Sequence, residues 1–118
     1  MDITYHYPPE LFQLLVDVIP RLNRSKADVL IFFRGAGVPQ LFLSDIENQL
    51  SRDRTSINKF DMVRTVLSRL NEAGEGRLRE RREVLKRVVE FEDFSTCWAN
   101  DQLKAQGLGA QIRGVVNV

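Results

Sequence analysis

Apolar side chains recur at three- or four-residue spacing along nearly the whole chain, which is the pattern of one face of an α-helix. The first stripe follows Pro8 and Pro9, and proline fits the first turn of a helix because its missing N–H is not needed there. Its members are Leu11, Leu14, Leu15, Val18, Ile19 and Leu22. Pro20 lies near the end of this stripe, so the helix either stops or bends there.

The run VLIFF at residues 29–33 is ambiguous, since its composition also suits a buried strand. Ser25 and Asp28 stand before it as an N-terminal helix cap. Gly35 and Gly37 follow it, as glycines do at the end of a helix. These flanking residues favour a short helix.

Four further helices are predicted downstream. The third starts at Pro39 and includes Leu41 on a partly apolar face. The fourth carries the stripe Phe60, Val63, Val66, Leu67 and Leu70. The fourth helix ends in the turn NEAGEG at 71–76. The fifth helix is predicted to cover residues 77–92. The sixth is predicted to begin near Asn100, although its segment contains three glycines. Six helices with short connections predict an all-α, compact six-helix bundle.

The length of 118 residues leaves room for one hydrophobic core, so residues 1–118 are predicted to form a single helical domain. The chain ends on the apolar sequence VVNV, whereas the termini of domains are usually polar and frayed. We therefore expect an N-terminal fragment of a longer protein.

Charge and cysteine content narrow the classes of function. Seventeen Lys and Arg oppose sixteen Asp and Glu, and this balance argues against a surface built wholly to coat nucleic acid or an anionic membrane. One cysteine, Cys97, and one histidine, His6, cannot form a disulfide framework or a Cys/His zinc site within one chain. The lone thiol suits a reducing, cytoplasmic setting, and no apolar run is long enough to cross a membrane.

No residue pattern predicts a catalytic, cofactor or metal site. The sequence Gly35-Ala36-Gly37 resembles a phosphate-binding turn, but the strands that such a turn requires are missing, so a helix cap is the better interpretation. Two acid–lysine pairs have the spacing of a nuclease motif: Glu83 with Lys86, and Asp101 with Lys104. Both are expected to be ordinary pairs on a helix surface.

The fifth helix is unusually basic, with Arg77, Arg79, Arg81, Arg82, Lys86 and Arg87. On a helix, Arg79, Arg82 and Lys86 share one face, and Glu83 is expected to pair with Arg79 or Arg87. Three interpretations stay open: a solvated face covered by local ion pairs, a surface for a protein partner, and contacts to phosphates.

Aromatic residues follow the fifth helix. Phe91, Phe94 and Trp98 either close the core over this helix, which we favour, or form an exposed patch for a partner. Cys97 lies between two of them and is predicted to be a buried structural thiol.

The order of these elements resembles the death-fold superfamily, and within it the bacterial effector-associated and caspase-recruitment-like domains. The matching features are the first helix disturbed by Pro20, the segment FFRGAGVPQLFLSDIE and the helix DMVRTVLSRLNEAG. The resemblance covers most of the chain and implies a death-fold-like bundle of six helices that acts by self-association or by pairing with a like domain.

A second resemblance involves the C-terminal third. The run LRERREVLKRVVEFEDFSTCW and the following LKAQGLGAQIRGVVNV are similar to the N-terminal region of bacterial restriction endonucleases. In those proteins a helical region leads through a coiled coil to an Mrr-like nuclease domain. This resemblance implies that any catalytic acids and lysine lie beyond Val118.

Taken together, the two resemblances imply a non-catalytic adaptor or oligomerisation domain of a bacterial anti-phage defence effector. It would bind a protein partner, or a second copy, through complementary charged faces. The expected residues are Arg79, Arg82 and Lys86 on one face and Asp45 and Glu47 on the other. The alternative is a helical DNA-binding domain attached to a restriction-type nuclease, with Arg77, Arg79, Arg82 and Lys86 on phosphates.

Overall fold

The computed structural model describes residues 7–116 as six α-helices joined by short connections. The helices are α1 (Pro9–Leu22), α2 (Lys26–Gly35), α3 (Ser44–Arg52), α4 (Lys59–Glu72), α5 (Leu78–Val89) and α6 (Ala99–Val116). No strand occurs within the described residues. The predicted compact all-α fold with six helices is confirmed.

The centre of the core is α1, which packs along α6 and against α4. Leu11, Leu15 and Ile19 of α1 have no solvent exposure. The helix continues through Pro20 to Leu22, so the proline near its end does not stop it. Burial of this stripe explains why α1 forms, since an amphipathic helix is stabilised chiefly by packing of its apolar face.

At its N-terminus, α2 begins with the predicted cap. The Ser25 hydroxyl accepts a hydrogen bond from the Asp28 N–H at 3.0 Å, and the Asp28 carboxylate accepts one from the Ser25 N–H at 3.3 Å. This reciprocal pair is a capping box, which satisfies two N–H groups that the helix cannot satisfy itself.

After its C-terminus at Gly35, α2 is followed by a glycine in the left-handed region. Gly37 has φ of +89°, and its N–H donates to the carbonyl of Arg34 at 3.0 Å. The Val38 N–H donates to the carbonyl of Phe33 at 3.0 Å, which completes a Schellman motif. The helix predicted for residues 29–33, and the helix-cap interpretation of the glycines after it, are therefore confirmed.

The third helix begins later than predicted. After Pro39 the residues Gln40–Phe42 form a separate 3-10 turn, because the N–H groups of Phe42 and Leu43 bond to carbonyls three residues earlier. The α-helix then starts at Ser44. Leu41, expected on an apolar face, is 70% exposed, because this turn does not continue the α-helical stripe.

The fifth helix also differs from its predicted bounds, whereas the sixth begins at Ala99, next to its predicted start near Asn100. Helix α5 is shorter than the predicted 77–92, because a 3-10 turn precedes it at Gly74–Arg77 and the chain leaves the helix after Val89. Helix α6 is continuous through its three glycines. Each glycine costs about 1 kcal/mol of helix propensity, but burial of Ala105, Leu108 and Ile112 on this helix outweighs that cost.

Candidate functional site

Helix α5 separates its cations onto two faces. Arg81 is 1% exposed and lies on the same stripe as Val84, Leu85 and Val88, which are also buried. Arg79 and Arg82 are exposed. The spacing of the buried residues is that of an apolar helix face, so position 81 belongs to the core by its place in the sequence. That spacing was the signal for a buried Arg81.

Two hydrogen bonds fix Arg81 in the core, one made by its guanidinium and one made by its own carbonyl. Its Nη1 donates to the carbonyl of Leu70, and the Tyr7 hydroxyl donates to the carbonyl of Arg81 at 2.6 Å. Within the described part of the chain, Nε and Nη2 of Arg81 have no hydrogen-bond partner. Burial lowers the pKa of Arg81 and raises the pKa of Tyr7. Arg81 thus contacts the interior and is inaccessible to a partner.

The three cations predicted to share a face are all on the outer side of α5. Arg79, Arg82 and Lys86 are exposed, and none forms an ion pair with a carboxylate among residues 7–116. We call these three residues the α5 ridge. The predicted pair of Glu83 with Arg87 is present at 3.3 Å, so the ion pair that Glu83 forms lies outside the ridge.

Arg77, the fourth residue expected to contact nucleic acid, lies before α5 and is already engaged. Its Nη1 is 3.4 Å from Glu80 Oε1, and its guanidinium lies over the Phe42 ring at 5.4 Å. The structure therefore groups Arg77 with its own neighbours and leaves three of the four predicted cations accessible.

The predicted acidic residues lie on α3, and each already binds an arginine of another helix. The two carboxylate oxygens of Asp45 accept hydrogen bonds from Arg69 at 2.8 and 2.6 Å, and these bonds lower the pKa of Asp45. Glu47 accepts hydrogen bonds from Arg34 and, at 2.9 Å, from Gln40. In the described residues no ion pair joins either acid to the α5 ridge.

The two nuclease-like spacings do not form the ion pairs expected of them. Glu83 binds Arg87 instead of Lys86, and the Asp101 carboxylate is 3.0 Å from Arg21 of α1. Among residues 7–116 there is no group of three or more His, Cys, Asp or Glu side chains that could hold a metal ion. His6 lies outside the described residues.

Trp98 is not a core residue, contrary to the interpretation we favoured. It is 50% exposed, its indole N–H donates to the carbonyl of Arg24 at 3.1 Å, and the Arg24 guanidinium lies over its ring at 4.8 Å. Phe91 and Phe94 are half-buried and meet edge to face at 5.1 Å. Cys97 is buried as predicted, and burial raises the pKa of its thiol. Trp98 remains outside because a surface arginine fixes it there.

A groove that the sequence did not predict lies between α2 and α3. Its volume is about 770 Å³, and Lys26, Arg34, Arg52 and Arg54 line it. These cations belong to two helices and a loop and are separated in sequence, so no local charge run marked them. Only the packing of α2 beside α3 brings them together.

Comparison of the chain with protein-family models, with curated proteins and with solved structures gave no match. No helix within residues 7–116 is long and apolar enough to span a lipid bilayer.

Proposed function

We propose that this chain is a non-catalytic protein-interaction domain that binds an acidic surface of a partner through the α5 ridge. The observation that carries the proposal is the accessibility of Arg79, Arg82 and Lys86 on one helix, without an ion pair to any described carboxylate. Complementary charges at such a surface increase the association rate and select the correct partner.

The position of the α5 ridge is fixed by burial of the opposite face of α5. The opposite face of α5 buries Val84 and Val88 together with Arg81, so the helix cannot rotate without exposing its core face. A preorganised helix loses less conformational entropy on binding than a flexible loop does. The ridge therefore suits recognition of a partner of fixed shape.

The acidic counterpart belongs on the partner. Asp45 and Glu47 would supply it in self-association, but both already bind arginines within the chain. A contact between two copies through these acids would exchange one set of ion pairs for another and gain little energy. We therefore place the binding acids on a like helical domain of another protein, with self-association as the second mode.

The biological setting in this proposal is that of a death-fold-like, effector-associated domain of a bacterial anti-phage defence protein. Six helices of the expected order and the resemblance of the segments around Gly37 and along α4 support it. In this setting the domain recruits or assembles a larger effector, and any nuclease chemistry belongs to other parts of that effector.

The test compares two double charge reversals. Arg82→Glu with Lys86→Glu changes the ridge, and Arg64→Glu with Lys104→Glu is the matched control at exposed positions outside it. Proteins that co-purify with the chain from its native cells are identified, purified and titrated by calorimetry. We expect the ridge variant to lose at least tenfold in affinity and the control to bind like the unmodified chain. Acid-to-lysine changes on the partner should restore binding of the ridge variant.

Equal affinity for the unmodified chain and the ridge variant would overturn the proposal. Sedimentation equilibrium of the chain alone tests self-association, in which Asp45→Lys with Glu47→Lys should lower the association constant.

Titration of duplex DNA tests the alternative function, because three phosphate contacts give a slope of about −2.7 in log affinity against log salt. Such binding, lost in the ridge variant, would replace the protein partner with DNA.

A further inference from the structure

The groove between α2 and α3 carries more positive than negative charge. Four of its lining residues are cations, Lys26, Arg34, Arg52 and Arg54, and Glu47 is the acid among them. Its volume of about 770 Å³ is in the range of ligand-binding sites, roughly 300 to 1,000 Å³. The groove is thus both large enough and charged enough to hold an anionic ligand.

The negative charge of Glu47 is already neutralised. Its carboxylate is paired with Arg34 and bonded by the Gln40 amide. Arg52 and Arg54 are exposed and form no ion pair with a described carboxylate. These two guanidinium groups therefore keep their donors for a ligand, and a planar guanidinium binds a phosphate through two parallel hydrogen bonds.

Apolar side chains also line the groove. Leu30 of α2 is buried beneath it, and Leu50 of α3 is half-buried. A ligand that matches this lining carries negative charge together with an apolar or aromatic part. Simple inorganic anions use only the first of these features.

The exposed Trp98 is linked to one end of the groove through Arg24. Arg24, which lies over the Trp98 ring, is followed in the chain directly by Ser25 and Lys26, two residues that line the groove. Arg24 is also bonded to the carbonyl of Cys97 at 3.2 Å. Arg24 therefore holds the indole by both its N–H and its ring, and Arg24 lies two residues before the groove cation Lys26.

We propose that the α2–α3 groove binds single-stranded nucleic acid. The phosphates lie against Lys26, Arg52 and Arg54, and a base stacks on the exposed part of Trp98. Proteins that bind single strands without sequence preference combine these two elements, a basic channel and an aromatic side chain. A concave groove between two helices admits a flexible strand, whereas duplex DNA is read by elements that project into its own grooves. An acidic peptide would satisfy the cations but has no base to stack on Trp98.

This site is separate from the α5 ridge and does not depend on the proposed protein partner. Its test uses the fact that Trp98 is the single tryptophan of the chain, so intrinsic fluorescence reports on this position alone. The probe is an oligothymidylate of about 12 nucleotides, within the range of about 4 to 16 that small single-strand sites cover. We expect saturable quenching, and a slope of about −2 in log affinity against log salt for three phosphate contacts.

Variants locate the binding surface. Arg52→Glu with Arg54→Glu should lower affinity at least tenfold, and Trp98→Leu should lower it about tenfold, both measured by anisotropy of a labelled oligonucleotide. The control Arg64→Glu with Lys104→Glu makes the same change of charge at exposed positions outside both the groove and the ridge, and it should bind the oligonucleotide within about twofold of the unmodified chain. Thermal unfolding of each variant confirms that it is folded.

The proposal would be overturned by no quenching at low salt, by unchanged affinity in the folded Arg52 and Arg54 variant, or by equal affinity for polyglutamate. The last would assign the groove to an acidic peptide. Tighter binding of a duplex of equal length would also reject a single-strand site. Loss of partner binding in the ridge variant, with oligonucleotide binding intact, would show that the two surfaces act separately.

Discussion

Helices α1 and α3 belong to the same small domain but differ in how they are stabilised. Half of α1 is buried, seven residues of fourteen, and it packs along α6 and against α4. In α3 the one buried residue is Ile46, Leu50 packs against the core from a partly buried position, and Asp45 and Glu47 form ion pairs with other helices. Apolar burial thus stabilises one region, while the other exposes most of its surface to solvent.

The two helices differ because apolar burial contributes more free energy than an exposed ion pair does. Complete burial of one aliphatic side chain contributes about 1.5 to 3 kcal/mol, whereas an exposed ion pair contributes at most about 1 kcal/mol. Seven buried residues therefore outweigh two ion pairs by a wide margin. The charged surfaces proposed to bind partners are on α5 and beside α3, and not on α1, which has little surface left.

The largest effect is expected in α1. Leu15→Ala should lower the free energy of unfolding by about 3 kcal/mol, because Leu15 has no exposed surface and its removal leaves a cavity beside α6 and α4. Urea unfolding followed by circular dichroism measures this change. The control Leu41→Ala, at a site 70% exposed, should change stability by less than about 0.5 kcal/mol. Similar losses of stability at the two leucines would contradict the burial of Leu15 and the exposure of Leu41.

Truncation of a buried side chain in α3 should lower the free energy of unfolding less than the same kind of change in α1. Ile46→Ala is expected to lower stability by about 2 kcal/mol, the lower end for such changes, because a helix with one buried residue can shift to close the cavity. Native-state hydrogen exchange should also show that α3 amides open at lower free energy than α1 amides. A cost for Ile46→Ala above that for Leu15→Ala would remove the distinction between the two regions.

The cap of α2 is expected to contribute about 1 kcal/mol. Ser25→Ala removes the acceptor for the Asp28 N–H and half of the capping box, and such changes typically cost about 1 kcal/mol. The midpoint of urea unfolding measures it. Ser51→Ala, an exposed serine within α3, is the matched control and should be neutral within about 0.5 kcal/mol.

The smallest effect is expected at Asp45, and it depends on pH. Its hydrogen bonds from Arg69 hold its pKa below the ordinary value, so the stabilisation is complete above about pH 4 and is lost as pH falls through the lowered pKa. Asp45 is well exposed, so solvent screening limits the contribution to a few tenths of a kcal/mol. Asp45→Asn should therefore be slightly less stable than the unmodified chain at pH 7 and equally stable near pH 2. A constant difference across this range would show that the ion pair is not its cause.

The helices were predictable because their apolar stripes are local properties of the sequence. The periodic leucines of α1 and the cap at Ser25 each lie within one helix, and both predictions are confirmed. The break between the 3-10 turn and α3 was not predictable, because a single turn leaves the same short apolar pattern in either form of helix.

The candidate surfaces were only partly predictable, because some of their residues are related by local spacing and others meet only where helices pack. Arg79, Arg82 and Lys86 share a face by spacing alone, and the structure places them there. The Arg24–Trp98 contact joins residues 74 positions apart, and the α2–α3 groove joins two helices. Contacts of this kind depend on how the helices pack, and no short window of sequence contains both partners.

The buried Arg81 has a consequence for the behaviour of the domain on heating. Hydration of a charged group becomes less favourable as temperature rises, so the cost of removing the Arg81 guanidinium from water falls. A methionine at this position would have no such charge to dehydrate. The native arginine therefore destabilises the domain most in the cold and least when warm, and it shifts the temperature of maximum stability upwards.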